Sequence, residues 1–226
     1  MTEENNPSPQ QNDSNTSSSG AGASANDAMK HVKATTQDAV QALKVLISDP
    51  IGGQLKAYSS LGPANALKVG ILFNLIFVAC AVLFAQGLWD LFFGFLAEFG
   101  GEAAGFPLFK AIILSVIPAV SVSAGFLLVA KFIGKTEIDL AGPLFTTGIA
   151  MMPLGLLFIL CRVIGPMSNI THALAVFCIT TTVIAISTAL QDIYKLNAQK
   201  AVLITPALLL VAGFLSKLMY QQIFSF

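Results

Sequence analysis

The chain has 226 residues, of which 55% are hydrophobic and 11% are charged, and its formal net charge is zero. Soluble domains carry about 25% charged residues, so this composition argues against an ordinary soluble domain. A zero net charge gives no basis for a nucleic-acid partner, and the apolar excess makes the lipid bilayer the expected partner.

The first 27 residues form a polar tail. They are rich in Asn, Ser, Gln, Gly and Pro, and Met1 is the one large apolar side chain before residue 27. Such a segment cannot bury enough apolar surface to offset the entropy lost on folding. We therefore predict that residues 1–27 are disordered.

Residues 28–48 have the apolar spacing of an amphipathic helix with a basic polar face. Asn26 or Asp27 supplies an N-cap, and Pro50 ends the helix. Two positions for this helix fit the pattern equally well. It lies on an anionic membrane surface, or it packs on the transmembrane bundle of its own chain. The apolar side chains are Met29, Val32, Ala39, Val40, Leu43 and Ile47.

Five apolar segments follow, each with roughly the 20 residues that span about 30 Å of hydrocarbon as a helix. A β-barrel would instead show shorter segments of alternating polarity. The sequence predicts an all-α integral membrane protein, with a bundle of five transmembrane helices inside residues 49–226. The segments are residues 67–88, 109–133, 140–164, 169–190 and 201–224.

Residues 89–99, between the first two segments, carry aromatic side chains on one helical face, including Trp89, Phe92 and Phe99. A single helix from residue 67 to residue 99 would exceed the thickness of a bilayer. We therefore predict a separate short helix at the membrane interface, closed by Gly100 and Gly101.

Positive charges near the segment ends predict the orientation, because Lys and Arg collect on the cytoplasmic side. The N-terminus is therefore expected in the cytoplasm and, after five crossings, the C-terminus outside it. The richer side holds Lys56, Lys68, Lys131, Lys135, Lys195 and Lys200, and the poorer side holds Lys110, Arg162 and Lys217.

Charged side chains are nearly missing from the centres of the five segments, which argues against a proton- or cation-coupled pump. Lys110, Lys131 and Arg162 lie at segment ends, where a long side chain reaches the interface, and Lys217, about two turns from the chain end, is deeper but within the same reach. The sequence has no paired catalytic acids, no nucleophile beside a base and no His pair at metal spacing. We predict a protein that is not an enzyme and holds no cofactor or metal.

Small residues recur every four positions in the second segment, which lets helix backbones approach closely in lipid. The predicted helix-packing positions are Ala111, Ser115, Ala119 and Ser123, together with Ser121 and Gly125.

Three segments contain a proline, and each proline removes a backbone hydrogen bond and favours a kink. Two interpretations stay open, a kinked and tightly packed bundle or a set of hinges around a solute path. The candidate hinges are Pro118, Pro153 and Pro206.

The third segment begins Asp139-Leu140-Ala141-Gly142-Pro143, and residues 49–53 and 61–67 read Asp-Pro-Ile-Gly-Gly and Leu-Gly-Pro-Ala-Asn-Ala-Leu. Over about residues 45–224 the chain resembles the Yip1 domain family in its prokaryotic branch. The eukaryotic members have Asp-Leu-Tyr-Gly-Pro, with a tyrosine where Ala141 stands here. The resemblance implies five transmembrane helices, a polar cytoplasmic N-terminus and a short C-terminus outside, in a prokaryotic cytoplasmic membrane.

Two functions follow from these patterns. The first is a non-enzymatic Yip1-like membrane protein that acts through protein or lipid contacts in membrane organisation or trafficking, with membrane or cytoplasmic protein partners. The second is a carrier or channel for a small neutral solute, which requires a polar cavity reaching mid-membrane, lined by residues such as Ser121 and Thr181.

Overall fold

The computed structural model describes residues 20–49, 52–98, 105–134, 139–166 and 168–224. In these ranges the regular structure is helical throughout, which confirms the all-α class. A single π-helical turn, Ala130–Gly134, continues the third helix. The helices are α1 (Gly20–Ser48), α2 (Gly53–Glu98), α3 (Leu108–Val129), α4 (Ala141–Ile164), α5 (Asn169–Asp192) and α6 (Ala198–Phe224).

The chain divides into two compact units, Met1–Ala34 and Thr35–Phe226. The predicted disorder of residues 1–19 lies outside the described residues. The predicted helix 28–48 starts too late, because α1 begins at Gly20. Composition did not predict helix for these eight residues, because the alanines among them alternate with Gly, Ser and Asn, which have low helix propensity.

Helices α2 to α6 are each long and apolar enough to cross a membrane. This confirms the predicted integral membrane protein with five spanning helices. Each of the five candidate spans overlaps one predicted segment. They are Gly53–Phe95, Leu108–Ile133, Ala141–Ile164, Asn169–Asp192 and Ala198–Gln222.

Helix α2 is longer than the sequence led us to expect. Its 46 residues contain one non-helical position, Gly62, with φ 69° and ψ 165°, just before Pro63. The prediction of a separate interfacial helix from Trp89 is wrong, because α2 is helical to Glu98. No proline follows Pro63 in α2, and single glycines cost only about 1 kcal/mol each. Bilayer thickness therefore predicted a helix end at a position where the sequence has no proline to end the helix.

Helix α4 lies at the centre of the bundle and contacts α2, α3 and α5, while α6 packs on α3 and α5. All residues from 145 to 151 are buried, and Phe145, Thr146 and Thr147 are completely inaccessible. The large side chains around α4, such as Phe126 and Ile186, fill the remaining space and are fully buried as well. The middle of this unit is therefore solid protein.

The backbones of α2 and α4 touch. A Cβ atom placed on Gly70 would lie 2.5 Å from the backbone nitrogen of Phe145, and one on Gly148 would lie 2.8 Å from the carbonyl oxygen of Gly70. Further along, Gly155 faces Phe77, with 3.6 Å between its added Cβ and the Phe77 Cα. The contacting residues of α2 and of α4 rise in number in the same direction, so the two helices run parallel.

The second half of α1 packs on this bundle through its small side chains. Ala39 and Ala42 are buried in a cluster that includes Ala57, Phe73 and Phe145. Of the two positions predicted for the amphipathic helix, packing on the chain's own bundle therefore holds for residues 35–48. Val45 and Leu46 pack partly buried against the same cluster, while Val40 and Ile47 are exposed on the outer side of this half.

The close contact predicts that Gly70→Ala destabilises the protein, because the added methyl group meets backbone atoms that cannot move alone. We expect a loss of about 1–3 kcal/mol, seen as a lower midpoint of thermal unfolding in detergent. The matched control is Gly94→Ala in the same helix, where an added Cβ meets nothing within 4 Å. Gly94→Ala should hold or raise the midpoint, and equal midpoints for the two variants would contradict the contact.

Candidate functional site

The six small residues predicted to mediate helix packing are all buried in α3. They face two different helices, α6 and α4. A Cβ placed on Gly125 would lie 3.0 Å from Leu208 Cγ, so this position faces α6. On the other side, the Ser123 hydroxyl donates a hydrogen bond of 2.9 Å to Thr147 Oγ1 in α4. The buried residues are Ala111, Ser115, Ala119, Ser121, Ser123 and Gly125.

The three prolines lie inside α3, α4 and α6, and each helix continues past its proline. Pro118 and Pro153 are half-buried, and Pro206 is exposed. Their role as hinges stays a prediction.

Polar side chains gather where α2 and α4 begin and α5 ends. Gln54 is 1% exposed, and its amide nitrogen donates to the carbonyl oxygen of Ala185 at 3.1 Å. One helical turn later, the Tyr58 hydroxyl donates to Asp139 Oδ2 at 3.2 Å. These two bonds tie the start of α2 to α5 and to Asp139, two residues before α4. We call Gln54, Tyr58, Asp139, Thr146 and Tyr194 the polar cluster.

Tyr194, in the turn between α5 and α6, completes the polar cluster. Its ring stacks on Phe126 with 5.4 Å between centroids and an interplanar angle of 11°. A Cβ placed on Gly142 would lie 3.5 Å from its hydroxyl and 3.9 Å from that of Tyr58, so both phenols approach α4 at this glycine. Burial raises the pKa of Tyr194, and the neighbouring Thr146 hydroxyl opposes part of that rise.

The polar cluster contains two buried polar atoms that form no hydrogen bond with the described residues. Within the described part of the chain, Gln54 Oε1 and the Tyr194 hydroxyl have no partner that meets hydrogen-bond geometry. Buried polar atoms are normally paired, so these two atoms each lower the stability of the folded protein. The polar cluster thus combines two phenols, an amide, a threonine hydroxyl and one carboxylate, and its bonds to Ala185 and Asp139 anchor helices to one another.

The described residues contain no group of three His, Cys, Asp or Glu side chains placed to hold a metal ion. The cysteines Cys161 and Cys178 are buried together in a small apolar cluster with Leu157. Their surroundings are those of packed small hydrophobic side chains.

A lateral groove of about 350 Å³ lies between α2, α3 and the start of α4. Its rim includes Leu75 and Val120, which are 60% and 54% exposed, so the groove opens on the outer face of the bundle. Asn74, in its wall, donates to the carbonyl oxygens of Gly70 at 2.7 Å and Leu144 at 3.0 Å. Both amide hydrogens are thereby used inside the protein, and the groove presents a largely apolar wall to lipid.

Sequence reasoning did not single out Gln54, Tyr58 or Tyr194, because they lie before the first predicted segment or between two later ones. The Gln54–Tyr58 spacing of four residues places both on one helical face, which was the available signal. It could not have identified Ala185 or Asp139 as partners, since both contacts join residues far apart in the chain.

Replacing Tyr194 with Phe tests the polar cluster. The variant keeps the stacked ring and removes a buried hydroxyl without a partner, so stability at neutral pH should hold or rise by up to about 1 kcal/mol. Because the folded protein binds the phenolic proton more tightly than the unfolded chain, wild-type stability should fall as the pH rises through about 10. Tyr194→Phe should lose less over that range.

The measurement is the midpoint of thermal unfolding in detergent between about pH 7 and 10.5. Tyr58→Phe is the matched control, because it removes the hydrogen bond to Asp139 and should lower the midpoint at neutral pH. A drop for Tyr194→Phe as large as that for Tyr58→Phe would show that the Tyr194 hydroxyl is bonded after all.

The chain was compared with family models, curated proteins and solved structures, and none of them matches it. Its function therefore has to be argued from its own residues and their arrangement.

Proposed function

We propose that this chain is a non-enzymatic, Yip1-like membrane protein that acts through protein or lipid contacts in membrane organisation or trafficking. The observation that carries the proposal is the filled centre of the bundle. Helix α4 is buried along residues 145–151, and its backbone touches that of α2 at Gly70 and Gly148. With the interior occupied by protein, the surfaces left to act are the outer faces of the helices.

Ser121 and Thr181 were named as residues that would line a solute path. Their surroundings favour a function through contacts with other molecules rather than transport. Ser121 is 4% exposed within the packed face of α3. The Thr181 hydroxyl donates to the carbonyl oxygen of Phe177 in its own helix at 2.8 Å. A neutral solute crossing the membrane needs a cavity with polar groups that are free to exchange partners. The lateral groove, with its apolar wall, is suited to hydrocarbon instead.

The outer side of α1 offers the most accessible contact surface of this kind. Ile47 is 72% exposed and Val40 is 48% exposed, and the two lie two helical turns apart on the same face of α1. Exposed Lys44 lies between them in the sequence. An apolar stripe beside lysine fits an amphipathic or acidic partner protein in the cytoplasm.

Orientation is part of the proposal. The described elements agree with the charge distribution, since Lys56 lies at the start of α2, Lys195 precedes α6, and Lys200 lies in the first turn of α6. This end of the bundle would face the cytoplasm of a prokaryotic cell, and the C-terminal end of α6 would face outward.

The first test is co-purification from native membranes in mild detergent. Wild-type protein should recover a reproducible set of proteins, and the double variant Val40→Asn with Ile47→Asn should lower that recovery about tenfold by removing the apolar contacts. Gln41→Asn, at an exposed position of the same helix, is the control and should leave the recovery of partner proteins unchanged. Failure to recover any reproducible partner, or full recovery by the double variant, would count against protein contacts through α1.

A solute-flux measurement separates the two functions directly. Vesicles containing the purified protein should take up glycerol no faster than protein-free vesicles, because the bundle interior is filled. A saturable flux that falls in Ser121→Leu would favour the carrier and overturn the proposal.

Epitope accessibility tests the orientation. A tag placed before Met1 should be digested by protease in inside-out vesicles and protected in intact cells, and a tag after Phe226 should behave in the opposite way. The reversed pattern would place the lysine-rich end outside.

A further inference from the structure

At the far end of the bundle from the polar cluster, α2 and α4 enclose a pocket of about 400 Å³. The distance along the helices sets its depth in the membrane. From Ala141 to Cys161, α4 rises about 30 Å, and α2 rises about the same from Leu67 to Gly87. That length is one hydrocarbon thickness, so the pocket lies at the level of lipid headgroups.

Two opposite charges stand in this pocket. Arg162 Nη2 and Asp90 Oδ2 are 3.4 Å apart, and the two side chains are 45% and 53% exposed. At that distance and exposure the pair contributes little to folding stability. The sequence predicted that Arg162 reaches the interface, and the structure adds that its side chain lies against α2 at Gly87. Both charges therefore remain accessible to a ligand.

Gly87 makes this position of Arg162 possible. A Cβ atom at residue 87 would collide with the Arg162 guanidinium group, so the absence of a side chain lets the guanidinium lie against α2. On the other side of the pocket, Gly165 ends α4 with φ 99°, and Pro166 follows. The pocket is thus open at the end of α4 and closed by backbone along α2.

We propose that this pocket binds the headgroup of a zwitterionic phospholipid with a primary ammonium, of the phosphatidylethanolamine class. Guanidinium is the side chain best matched to a phosphate group, so Arg162 holds the phosphate. The Asp90 carboxylate accepts hydrogen bonds from the ammonium, whose charge is also favoured at the C-terminal end of α4. One positive and one negative group on the protein meet their opposites on a single lipid.

The walls of the pocket suit the rest of such a lipid. Phe84 and Leu88 line it, and Phe84 lies about 9 Å before Asp90 along α2, in the direction of mid-membrane. Toward mid-membrane, one helical turn before Gly87 on the same helix, Leu83 is 49% exposed. A phospholipid whose headgroup sits between Arg162 and Asp90 can therefore lay its chains along apolar surface. A free phosphate would gain the charge contact alone.

Other membrane lipids fit less well for a chemical reason. Phosphatidylcholine carries a quaternary ammonium with no hydrogen to donate to Asp90. Phosphatidylglycerol brings an uncharged glycerol to the carboxylate and leaves that charge unmatched. The preferred order is thus phosphatidylethanolamine first, with the other two behind it.

The test uses the full chain reconstituted in vesicles of equal parts of the three lipids, then extracted in mild detergent. Lipids retained by the protein are identified by native mass spectrometry. Phosphatidylethanolamine should be enriched about tenfold over phosphatidylcholine, the gain of one charge-assisted contact. Asp90→Asn should abolish that preference, and Arg162→Gln should lower retention of all three lipids.

Lys131→Gln, in the π-helical turn after α3 at the opposite end of the bundle, is the matched control and should retain the wild-type pattern. Asp90 is exposed, so its variant keeps the proposal testable even if Arg162→Gln misfolds. Retained lipids in vesicle proportions, or an unchanged preference in Asp90→Asn, would overturn the assignment. The inference deepens the lipid part of the proposed function, and its failure would leave the recovery of protein partners through α1 unaffected.

Discussion

The contact between the backbones of α2 and α4 is the constraint on which the rest of the bundle depends. In lipid no hydrophobic force draws apolar helices together, so association relies on close packing and on hydrogen bonds between helices. Gly70 and Gly148 supply the close packing, and Asn74 adds a bond from α2 to the carbonyl oxygen of Leu144. Because α4 is fixed in this way, α3 and α5 can pack against it and α6 can close the bundle over both.

The same contact explains how polar atoms are distributed. Around the centre of the bundle, some hydroxyl groups bond within their own helix, as when Thr146 donates to the carbonyl oxygen of Gly142 at 2.7 Å. The buried Thr182 hydroxyl has no hydrogen-bond partner among the described residues. Polar groups with longer reach, such as Gln54 and Tyr58, lie toward one end, where water is near. Charged groups such as Arg162 and Asp90 lie toward the other end. A protein arranged like this offers recognition chemistry at its two membrane surfaces and inert packing between them.

Sequence reasoning predicted the helices much better than it predicted their partners. Apolar segments of about 20 residues identified the five spans, since their length is set by the bilayer itself. The extension of α2 to Glu98 was not predicted, because a helix can continue past the edge of the hydrocarbon layer. The contacts of Gln54 with Ala185 and of Asp90 with Arg162 could not be foreseen, since periodicity says which face a residue occupies and not what faces it.

The length of α2 gives the protein an uneven outline in the membrane. From Pro63 to Glu98 the helix rises about 54 Å, while the 24 residues of α4 rise about 36 Å. Lipids beside α2 therefore meet an apolar wall that continues past the point where α4 ends, and lipids beside α5 do not. Such hydrophobic mismatch is relieved by tilting or by a local change in bilayer thickness. Since the mismatch is on one side, this protein would impose a thickness gradient around its own circumference.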